Sequence, residues 1–174
     1  MIITIGGLAG TGTTTATKKL SQYLDIPYIS AGDVFRQMAI ENNMDLLEFS
    51  ELAEGNDDID KALDKRQAEI ANEAENLIVE GRISAFFVNA DYRIWLMAPD
   101  NIRAERISYR EGKSLDTVNY EIKERTASER KRYQEIHDID IDDLSIYDLV
   151  INTGTFDTET TVNIILNCIE EKNK

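Results

Sequence analysis

Cysteine and proline are almost absent from this sequence of 174 residues. The single cysteine, Cys168, excludes a disulfide within the chain, and its apolar neighbours predict a position in the core. The two prolines, Pro27 and Pro99, form no proline-rich linker that would divide the chain. We therefore expect one folded domain, which is the usual outcome at this length.

Long apolar runs and net positive charge are absent as well. No apolar run approaches the roughly 18 residues that span a bilayer, and the opening stretch MIITIGG lacks the basic residues that begin a signal peptide. The net charge of −14 repels nucleic acids and anionic membranes. These features predict a cytoplasmic protein that binds neither nucleic acid nor a membrane, unless its basic residues are gathered locally.

Positive charge is concentrated in one segment, residues 103–132. This segment holds nine Lys or Arg against six Asp or Glu, whereas residues 41–64 hold nine acids and one Lys. The basic segment offers an anionic ligand a place to bind. A solvated helix with ion pairs along its surface would have the same composition, so both interpretations stay open at this point.

Short apolar segments alternate with longer amphipathic ones along the chain. Five segments are typical of buried strands: MIITI, IPYIS, NLIVEGR, DYRIWLMAP and YDLVINT. The segments between them have apolar residues at the spacing of a helix. Short surface helices are expected over 41–64, and a charged helical stretch from about 100 to 135 is expected to break near Gly112. This alternation predicts an α/β fold with a parallel sheet, whose ligands bind at the carboxyl ends of the strands.

The stretch GGLAGTGTTT, residues 6–15, nearly spells a phosphate-binding loop, and we call it the glycine-rich loop. It follows the first strand and opens a helix, which is the context that the pattern G-x-x-x-x-G-K-[ST] requires. The backbone amides of such a loop cradle phosphate. The hydroxyl at the last position of the pattern, here that of Thr14, can bind Mg²⁺. The residues expected at the phosphates of ATP are Gly7, Leu8, Ala9, Gly10, Thr11, Gly12, Thr13, Thr14 and Thr15.

Thr13 stands where this pattern has its lysine. Three interpretations follow: a working cradle without its usual cation, a loop that has lost its chemistry, and an accidental glycine-rich turn. One charge-assisted hydrogen bond contributes about 1.5–3 kcal/mol. A working cradle therefore needs a substitute for the lysine.

Further stretches along nearly the whole chain resemble one family. They are ISAGDVFR, DKRQAEIA, VEGR, RAERISYREG, KERTASERKRY and DDLSIYDLVINT. Together with the glycine-rich loop they are similar to the nucleoside monophosphate kinases, and specifically to the archaeal type of cytidylate kinase. In that group the G-T-T-T form of the loop is the normal one, which argues against lost chemistry. The resemblance implies transfer of the γ-phosphoryl group of ATP to CMP or dCMP, with Mg²⁺.

The resemblance also implies an architecture, a P-loop fold with a parallel five-stranded sheet flanked by helices in a single domain, residues 1–174. Its core would comprise residues 1–36, 66–105 and 136–174. An acceptor-binding insertion would occupy about residues 37–65, and a lid that closes over ATP would occupy about residues 106–135. The family expectation is a monomer.

Two stretches would hold the phosphate of the acceptor. In SAGDVFR, the small residues Ser30 and Gly32 would let the acceptor approach, and Arg36 would bind its phosphate. In VEGR, Arg82 resembles the arginine that contacts this phosphate, because a planar guanidinium suits phosphate oxygens. The alternatives are an arginine on a helix surface and an ion pair of Arg82 with an acid such as Glu80.

The stretch RTASERKR resembles the CMP-binding run of the bacterial cytidylate kinases. Its residues Arg125, Glu129 and Arg132 are spaced i, i+4 and i+7, which places them on one helical face. The resemblance implies that the two arginines bind CMP and that the acid accepts a hydrogen bond from the cytosine amino group. A ladder of ion pairs within the helix is the alternative.

Five residues near the predicted site have a weaker role or none. Ile83 stands where the bacterial relatives have an aspartate, so their base contact does not carry over directly. Arg66 or Gln67 could touch the base, with an exposed helix surface as the alternative. His137 and Trp95 have no place in the implied mechanism. We expect a surface position for His137 and strand packing for Trp95.

The predicted lid carries Arg106 and Arg110 one helical turn apart. With Arg82 they are the candidate catalytic residues. We hypothesise that the lid arginines and the loop amides supply the charge that Thr13 lacks. Phosphoryl transfer requires positioning and charge neutralisation, so no protein nucleophile or general base is expected.

Two other functions stay open. The stretch ISAGDVFR is also close to the adenylate kinase version, so the acceptor could be AMP, UMP or dUMP. A nucleotide-binding sensor, inactive because of Thr13, belongs to a different functional class. The set of Arg125, Glu129 and Arg132 favours CMP, since a purine site has no need of it.

Overall fold

The structure, a computed structural model, describes residues 1–53 and 56–172. Five strands form one sheet: β1 (Ile2–Gly7), β2 (Tyr28–Ser30), β3 (Leu77–Glu80), β4 (Tyr92–Met97) and β5 (Leu149–Asn152). They pair in parallel, in the order β2-β3-β1-β4-β5. This confirms the predicted five-stranded parallel sheet.

Helices connect the strands and flank the sheet. Within the described residues they are α1 (Thr13–Leu24), α2 (Ala31–Glu41), α3 (Leu46–Ala53), α4 (Asp57–Glu73), α5 (Ser84–Phe87), α6 (Asp100–Glu111), α7 (Leu115–His137) and α8 (Thr158–Lys172). Gly112 ends α6 with a φ of 67°, which confirms the predicted break there. None of the helices in the described ranges combines the length and the apolar character that a bilayer span needs.

The core lies on both faces of the sheet. Neighbouring residues of a strand point to opposite faces, and β3 shows the consequence. Ile78 packs in one cluster with Leu20 of α1 and Ile165 of α8, whereas Val79 packs in a second cluster with Ala71 of α4. Both faces are therefore covered by helices, as the continuous apolar character of the strands predicts.

The glycine-rich loop leaves the sheet where the strand order reverses. From β1 the chain proceeds to β2 and β3 on one side, and then returns to β4 and β5 on the other side of β1. The carboxyl ends of β1, β2 and β3 lie at one edge, with Ser30 in register with Glu80 and Ile5 also in register with Glu80. Ligands of parallel α/β sheets bind at such a switch point.

Several local predictions were incomplete or wrong. A single 17-residue helix, α4, replaces the short helices expected in the second part of 41–64, because Asn56 caps it by accepting a hydrogen bond from the Asp58 amide. Helix α5 was not predicted. Cys168 is exposed rather than in the core, whereas Trp95 is buried as expected. Residues 54 and 55 of the predicted acceptor-binding insertion lie outside the described residues.

We expect Leu20→Ala to lower the free energy of unfolding by about 2–5 kcal/mol. Leu20 is fully buried in the cluster that joins α1, the sheet and α8, so truncation leaves a cavity there. Urea unfolding followed by circular dichroism measures the change. Lys18→Ala, on the exposed side of the same helix, is the control. Equal losses in the two variants would contradict this description of the core.

Candidate active site

The glycine-rich loop has a backbone conformation that glycine adopts readily and other residues do not. Gly10 and Gly12 have φ angles of 84° and 90°, in the left-handed region. A Cβ atom at Gly10 would also lie 2.9 Å from the carbonyl oxygen of Arg103. The backbone therefore requires glycine at both positions, which argues against an accidental glycine-rich turn.

Three arginines, which we call the loop-binding arginines, donate hydrogen bonds to carbonyl oxygens of this loop. The pairs are Arg82 Nη1 with Gly7 (3.1 Å), Arg103 Nε with Ala9 (2.7 Å) and Arg106 Nη1 with Gly10 (3.3 Å). Hydrogen bonds from charged donors are stronger than neutral ones. The orientation of three peptide groups is thus set by side chains from outside the loop.

The carbonyl groups that bind these arginines point away from the amide side of the loop, which leaves loop amides free to bind an anion. Among the described residues, no protein acceptor binds the amides of Ala9, Gly10 and Gly12. Successive free amides form an anion-binding concavity, and the N-terminus of α1 adds partial positive charge. This geometry supports a working phosphate cradle.

Arg106 also connects the loop to the residue that follows β5. Its Nη1 and Nη2 atoms donate to the hydroxyl and the carbonyl oxygen of Thr153, at 3.0 and 2.6 Å. The Thr153 hydroxyl donates in turn to the carbonyl oxygen of Thr11 at 2.7 Å. Arg106 is therefore fixed beside the loop, whereas the exposed Arg110 side chain pairs with Glu111.

Arg103 is a site residue that the sequence analysis missed. Its side chain is buried and pairs with Asp100 at 2.8 Å, in addition to its hydrogen bond with the loop. Its spacing was an available signal, since Arg103 lies one helical turn before Arg106 on the same face of α6. Buried arginines are rare without such partners.

Glu80 is a second residue that was missed. Its Oε1 atom accepts hydrogen bonds from the hydroxyls of Thr13 and Thr14, each at 2.7 Å. The available signal was an acid at the carboxyl end of a strand that neighbours β1. Arg82 does form an ion pair with an acid, as the alternative interpretation had it, but its partner is Glu129 and not Glu80.

The Thr14 hydroxyl and the Glu80 carboxylate fit a magnesium ion. Both are hard oxygen donors, and they lie 2.7 Å apart beside the loop. Mg²⁺ in kinase sites binds one or two protein oxygens and completes its shell with water and substrate phosphates. In the described part of the chain, no group of three or more His, Cys, Asp or Glu could hold a metal, so the protein would supply only this small donor set.

A cavity of about 510 Å³ opens beside the loop, and we call it the acceptor cavity. Its volume lies within the range of small-molecule sites. The residues that were predicted at the acceptor and that line this cavity are Ser30, Gly32, Arg36, Arg82, Arg125, Glu129 and Arg132. The fold thus brings together every candidate acceptor residue, from three separate segments of the chain.

Glu129 joins two arginines in the wall of the acceptor cavity. Arg82 Nε donates to its Oε2 atom at 2.6 Å, and Arg125 Nε donates to its Oε1 atom at 2.9 Å. Glu129 is buried, so both arginines are needed to compensate its charge. Burial lowers the pKa of Arg82 and Glu129 opposes that shift. Both carboxylate oxygens of Glu129 accept hydrogen bonds from arginines in this structure. The contact between Glu129 and cytosine stays a prediction.

Arg36 is oriented by Asp33, which forms a capping box with Ser30 at the start of α2. Ser30 Oγ accepts from the Asp33 amide at 3.1 Å, and the Asp33 carboxylate accepts from Ser30 and, at 2.5 Å, from Arg36 Nη2. The pKa of Asp33 is lowered, chiefly by the hydrogen bond from Ser30 and then by that from Arg36. Burial acts in the opposite direction. Arg36 lines the acceptor cavity while half of its side chain is exposed.

Helices α4 and α7 meet at two contacts between ionisable side chains. Arg132 Nε lies 3.5 Å from Asp60 Oδ2, and His137 Nε2 lies 3.1 Å from Asp64 Oδ2. The expected surface position of His137 is wrong: its side chain is 7% exposed and its ring packs against Phe87. Burial lowers the pKa of His137 and raises the pKa of Asp64 to about 7, with Asp60 adding to the latter shift.

The two weaker candidates for a base contact differ. Gln67 lines the acceptor cavity, and its Nε2 atom donates to the carbonyl oxygen of Glu80 at 3.2 Å. Arg66 instead pairs with Glu41 at 3.4 Å and is not part of the cavity wall. Of the two, only Gln67 has access to a bound molecule in this conformation.

A second cavity, of about 290 Å³, lies on the other side of the loop. Outside the loop it is lined by Ala16, Arg106, Arg110, Thr153, Phe156, Thr158 and Thr161. Four residues belong to both cavities, namely Gly10, Thr13, Thr14 and Arg110. Ligands in the two cavities would therefore meet at the loop.

Comparisons with known proteins find relatives that match nearly the whole chain. A family model described as "Cytidylate kinase-like family" matches residues 2–155. A cytidylate kinase of Methanosphaera stadtmanae is 82% identical over 172 residues, which cover 99% of each chain. One of Methanobrevibacter smithii is 59% identical over 170 residues, which cover 98% of this chain and 99% of the relative.

Solved structures resemble the fold at low sequence identity. An uncharacterized protein from Eubacterium ventriosum has a TM-score of 0.77 and 21% identity, with 98% of each chain covered. A shikimate kinase from Bacteroides thetaiotaomicron has a TM-score of 0.64 and 16% identity, again with 98% of each chain covered. These likenesses concern the fold alone.

We expect Asp64 to make stability fall as pH rises. Its folded pKa of about 7 exceeds its ordinary value of 3.8, so the folded state binds more protons between these two pH values. Its contribution to stability is complete below pH 3.8 and is lost as pH rises through about 7.

Asp64→Asn removes this ionisation. We expect it to raise the melting temperature at pH 8 by about 2–4 °C for each kcal/mol that is relieved, with a smaller gain at pH 5. Calorimetric melting at the two pH values measures this, with Asp58→Asn on the exposed side of α4 as the control. A gain of the same size at both pH values would contradict the raised pKa.

Proposed function

The chain belongs to the cytidylate kinase-like family, and from this premise we propose that it transfers the γ-phosphoryl group of ATP to CMP or dCMP. An oxygen of the acceptor phosphate attacks the γ-phosphorus, and the bond from that phosphorus to the bridging oxygen of ADP breaks. The products are ADP and CDP or dCDP. The enzyme is a phosphotransferase that needs no covalent intermediate with the protein.

One observation carries this proposal: two cavities share the glycine-rich loop, and the larger has arginines in its wall. In the proposed arrangement the triphosphate of ATP lies along the loop amides, with its adenosine in the second cavity. The acceptor phosphate lies in the acceptor cavity, bound by Arg36, Arg82, Arg125 and Arg132. The loop would then be the point where the two phosphates meet in line.

Glu129 would act by positioning two of these arginines. Its two oxygens hold the guanidinium groups of Arg82 and Arg125 at 2.6 and 2.9 Å, so neither side chain has to be ordered when the acceptor binds. Pre-oriented cations also cost no reorganisation when charge shifts in the transition state. Glu129 thus belongs to the proposed CMP-binding set even without touching the base.

Magnesium is the proposed metal, and Thr14 and Glu80 would hold it. When bound, it supplies positive charge that neutralises the phosphate oxygens of ATP. The protein's own part is to present one hydroxyl and one carboxylate beside the loop, at the position given by their mutual hydrogen bond.

The division of the chain into moving parts is also a proposal. The acceptor-binding insertion (about residues 37–65) and the lid (about residues 106–135) would close over the substrates and exclude water. We further propose a cytoplasmic monomer that binds nucleotides and neither nucleic acid nor membranes. The net charge of −14 supports this, because an acidic surface repels polyanions.

A coupled assay of ADP release tests the proposed function. The protein is incubated with ATP, Mg²⁺ and CMP, dCMP, UMP or AMP in turn, with a reaction lacking Mg²⁺ as the control. We expect ADP release to be fastest with CMP or dCMP and to require Mg²⁺. Faster release with AMP or UMP would assign a different acceptor. The absence of release with every acceptor would favour the non-catalytic sensor.

We expect Arg106→Ala to lower kcat/KM for ATP by about 10- to 200-fold, since it removes one charged donor beside the loop. Arg110→Ala should lower it as well, because both arginines would replace the missing lysine. Thr13→Lys should give no gain, because the new ammonium would pair with Glu80, which accepts from Thr13 now.

Steady-state kinetics with ATP as the varied substrate measure these effects. Arg130→Ala is the matched control, because Arg130 lies on α7 and pairs with Asp142 on the exposed surface. The compensation hypothesis is wrong if Thr13→Lys leaves activity unchanged or higher while neither lid arginine has an effect.

A further inference from the structure

A cytosine base in the acceptor cavity still needs a partner for its amino group, if the proposed function holds. The acid predicted for this role, Glu129, has both oxygens bound by arginines. Ile83, which follows Arg82, has no polar atom on its side chain. An acceptor that is not already engaged by arginines would meet the base with more of its lone pairs available.

Helix α4 supplies a wall of the acceptor cavity that suits a base. Its residues Asp60, Leu63, Asp64 and Gln67 line the cavity at i, i+3, i+4 and i+7, which is one helical face. This face contributes acceptors and an apolar surface but no cation, whereas the arginines come from other segments. An acceptor nucleotide would therefore direct its phosphate to the arginines and its base to α4.

Asp64 is the more buried of the two acids on this face, and one of its oxygens is available to a ligand. The residue is 8% exposed, and its Oδ2 atom faces His137 Nε2 at 3.1 Å. Within the described residues, no hydrogen bond is donated to its Oδ1 atom. The raised pKa of Asp64 has the same cause, because burial disfavours a carboxylate without enough donors. Asp60 differs, since Arg132 lies beside its carboxylate.

We propose that Asp64 accepts a hydrogen bond from the exocyclic amino group of cytosine and thereby selects cytidine over uridine nucleotides. Cytosine carries an amino donor where uracil carries a carbonyl oxygen. With uracil, the carboxylate would face another acceptor, and two buried acceptors would be left without a donor. Sites that read a substrate N–H in this way reject the analogue without it far better than apolar pockets do.

The test compares Asp64→Asn with the wild-type protein at pH 8, where the carboxyl of the wild type is ionised. An amide can turn its NH₂ group toward uracil, so the variant loses the discrimination. We expect the ratio of kcat/KM for CMP to that for UMP to fall by about 10- to 200-fold. Calorimetric Kd values for CMP and UMP without ATP should show the same loss of preference. Asp58→Asn removes the same charge from the exposed side of α4 and should keep the wild-type ratio.

Two results would overturn the proposal. The first is an unchanged CMP-to-UMP ratio in Asp64→Asn, including an equal fall for both nucleotides. The second is a loss that CMP shows and dCMP does not, which would assign Asp64 to the ribose. Asp64→Glu, which keeps the carboxylate, should retain more of the preference than Asp64→Asn, and melting curves establish that each variant is folded. A wild-type protein with no CMP turnover would instead contradict the proposed function, and the Kd values would still test Asp64.

Discussion

The hydrogen bonds from three arginines to carbonyl oxygens of the glycine-rich loop are the constraint on which the site depends. A loop with two left-handed residues has few internal hydrogen bonds to hold its peptide groups in one orientation. Arg82, Arg103 and Arg106 bind the carbonyl side of these groups, so the amide side faces the cavities. The same contacts place positive charge beside the loop, whose sequence lacks the lysine of the usual pattern.

The parallel sheet makes this arrangement possible. Each loop-binding arginine is separated from its carbonyl partner by 75 to 96 residues along the chain. They come together because the carboxyl ends of β1, β3 and β4 lie at one edge, with the loop at the switch point between them. The acceptor cavity and the second cavity open on either side of this loop, so a donor and an acceptor can share it.

The arginines that line the acceptor cavity are each paired with an acidic side chain, although the chain as a whole is acidic. Glu129 is buried between Arg82 and Arg125, and its negative charge lets two guanidinium groups approach each other. Asp33 and Asp60 each pair with one arginine, Arg36 and Arg132, in ion pairs that are more exposed. Acids therefore set the positions of the arginines, and a phosphate would meet cations that are already oriented.

Much of the site could be predicted because it is local in sequence. The strand, the glycine-rich loop and the following helix are consecutive, and the spacing of Arg125, Glu129 and Arg132 defines a helical face by itself. Glu80 and Arg103 were missed because their partners are distant in the sequence. A role for the Glu80 carboxylate can be assigned only when the fold shows that Thr13 and Thr14 donate hydrogen bonds to it. Cys168 was misplaced because apolar neighbours in the sequence do not say which side of a helix faces the sheet.

By itself, the sequence determined the order of elements, the parallel sheet, the glycine positions of the loop and the family to which these motifs point. Periodicity and backbone conformation are local properties, so they are visible in consecutive residues. Only the tertiary structure decided which acids hold which arginines, that His137 and Asp64 are buried together, and which face of α4 lines the acceptor cavity. Such pairings depend on how helices from distant segments pack across the sheet, and burial then sets the charge states and the free hydrogen-bonding atoms of these residues.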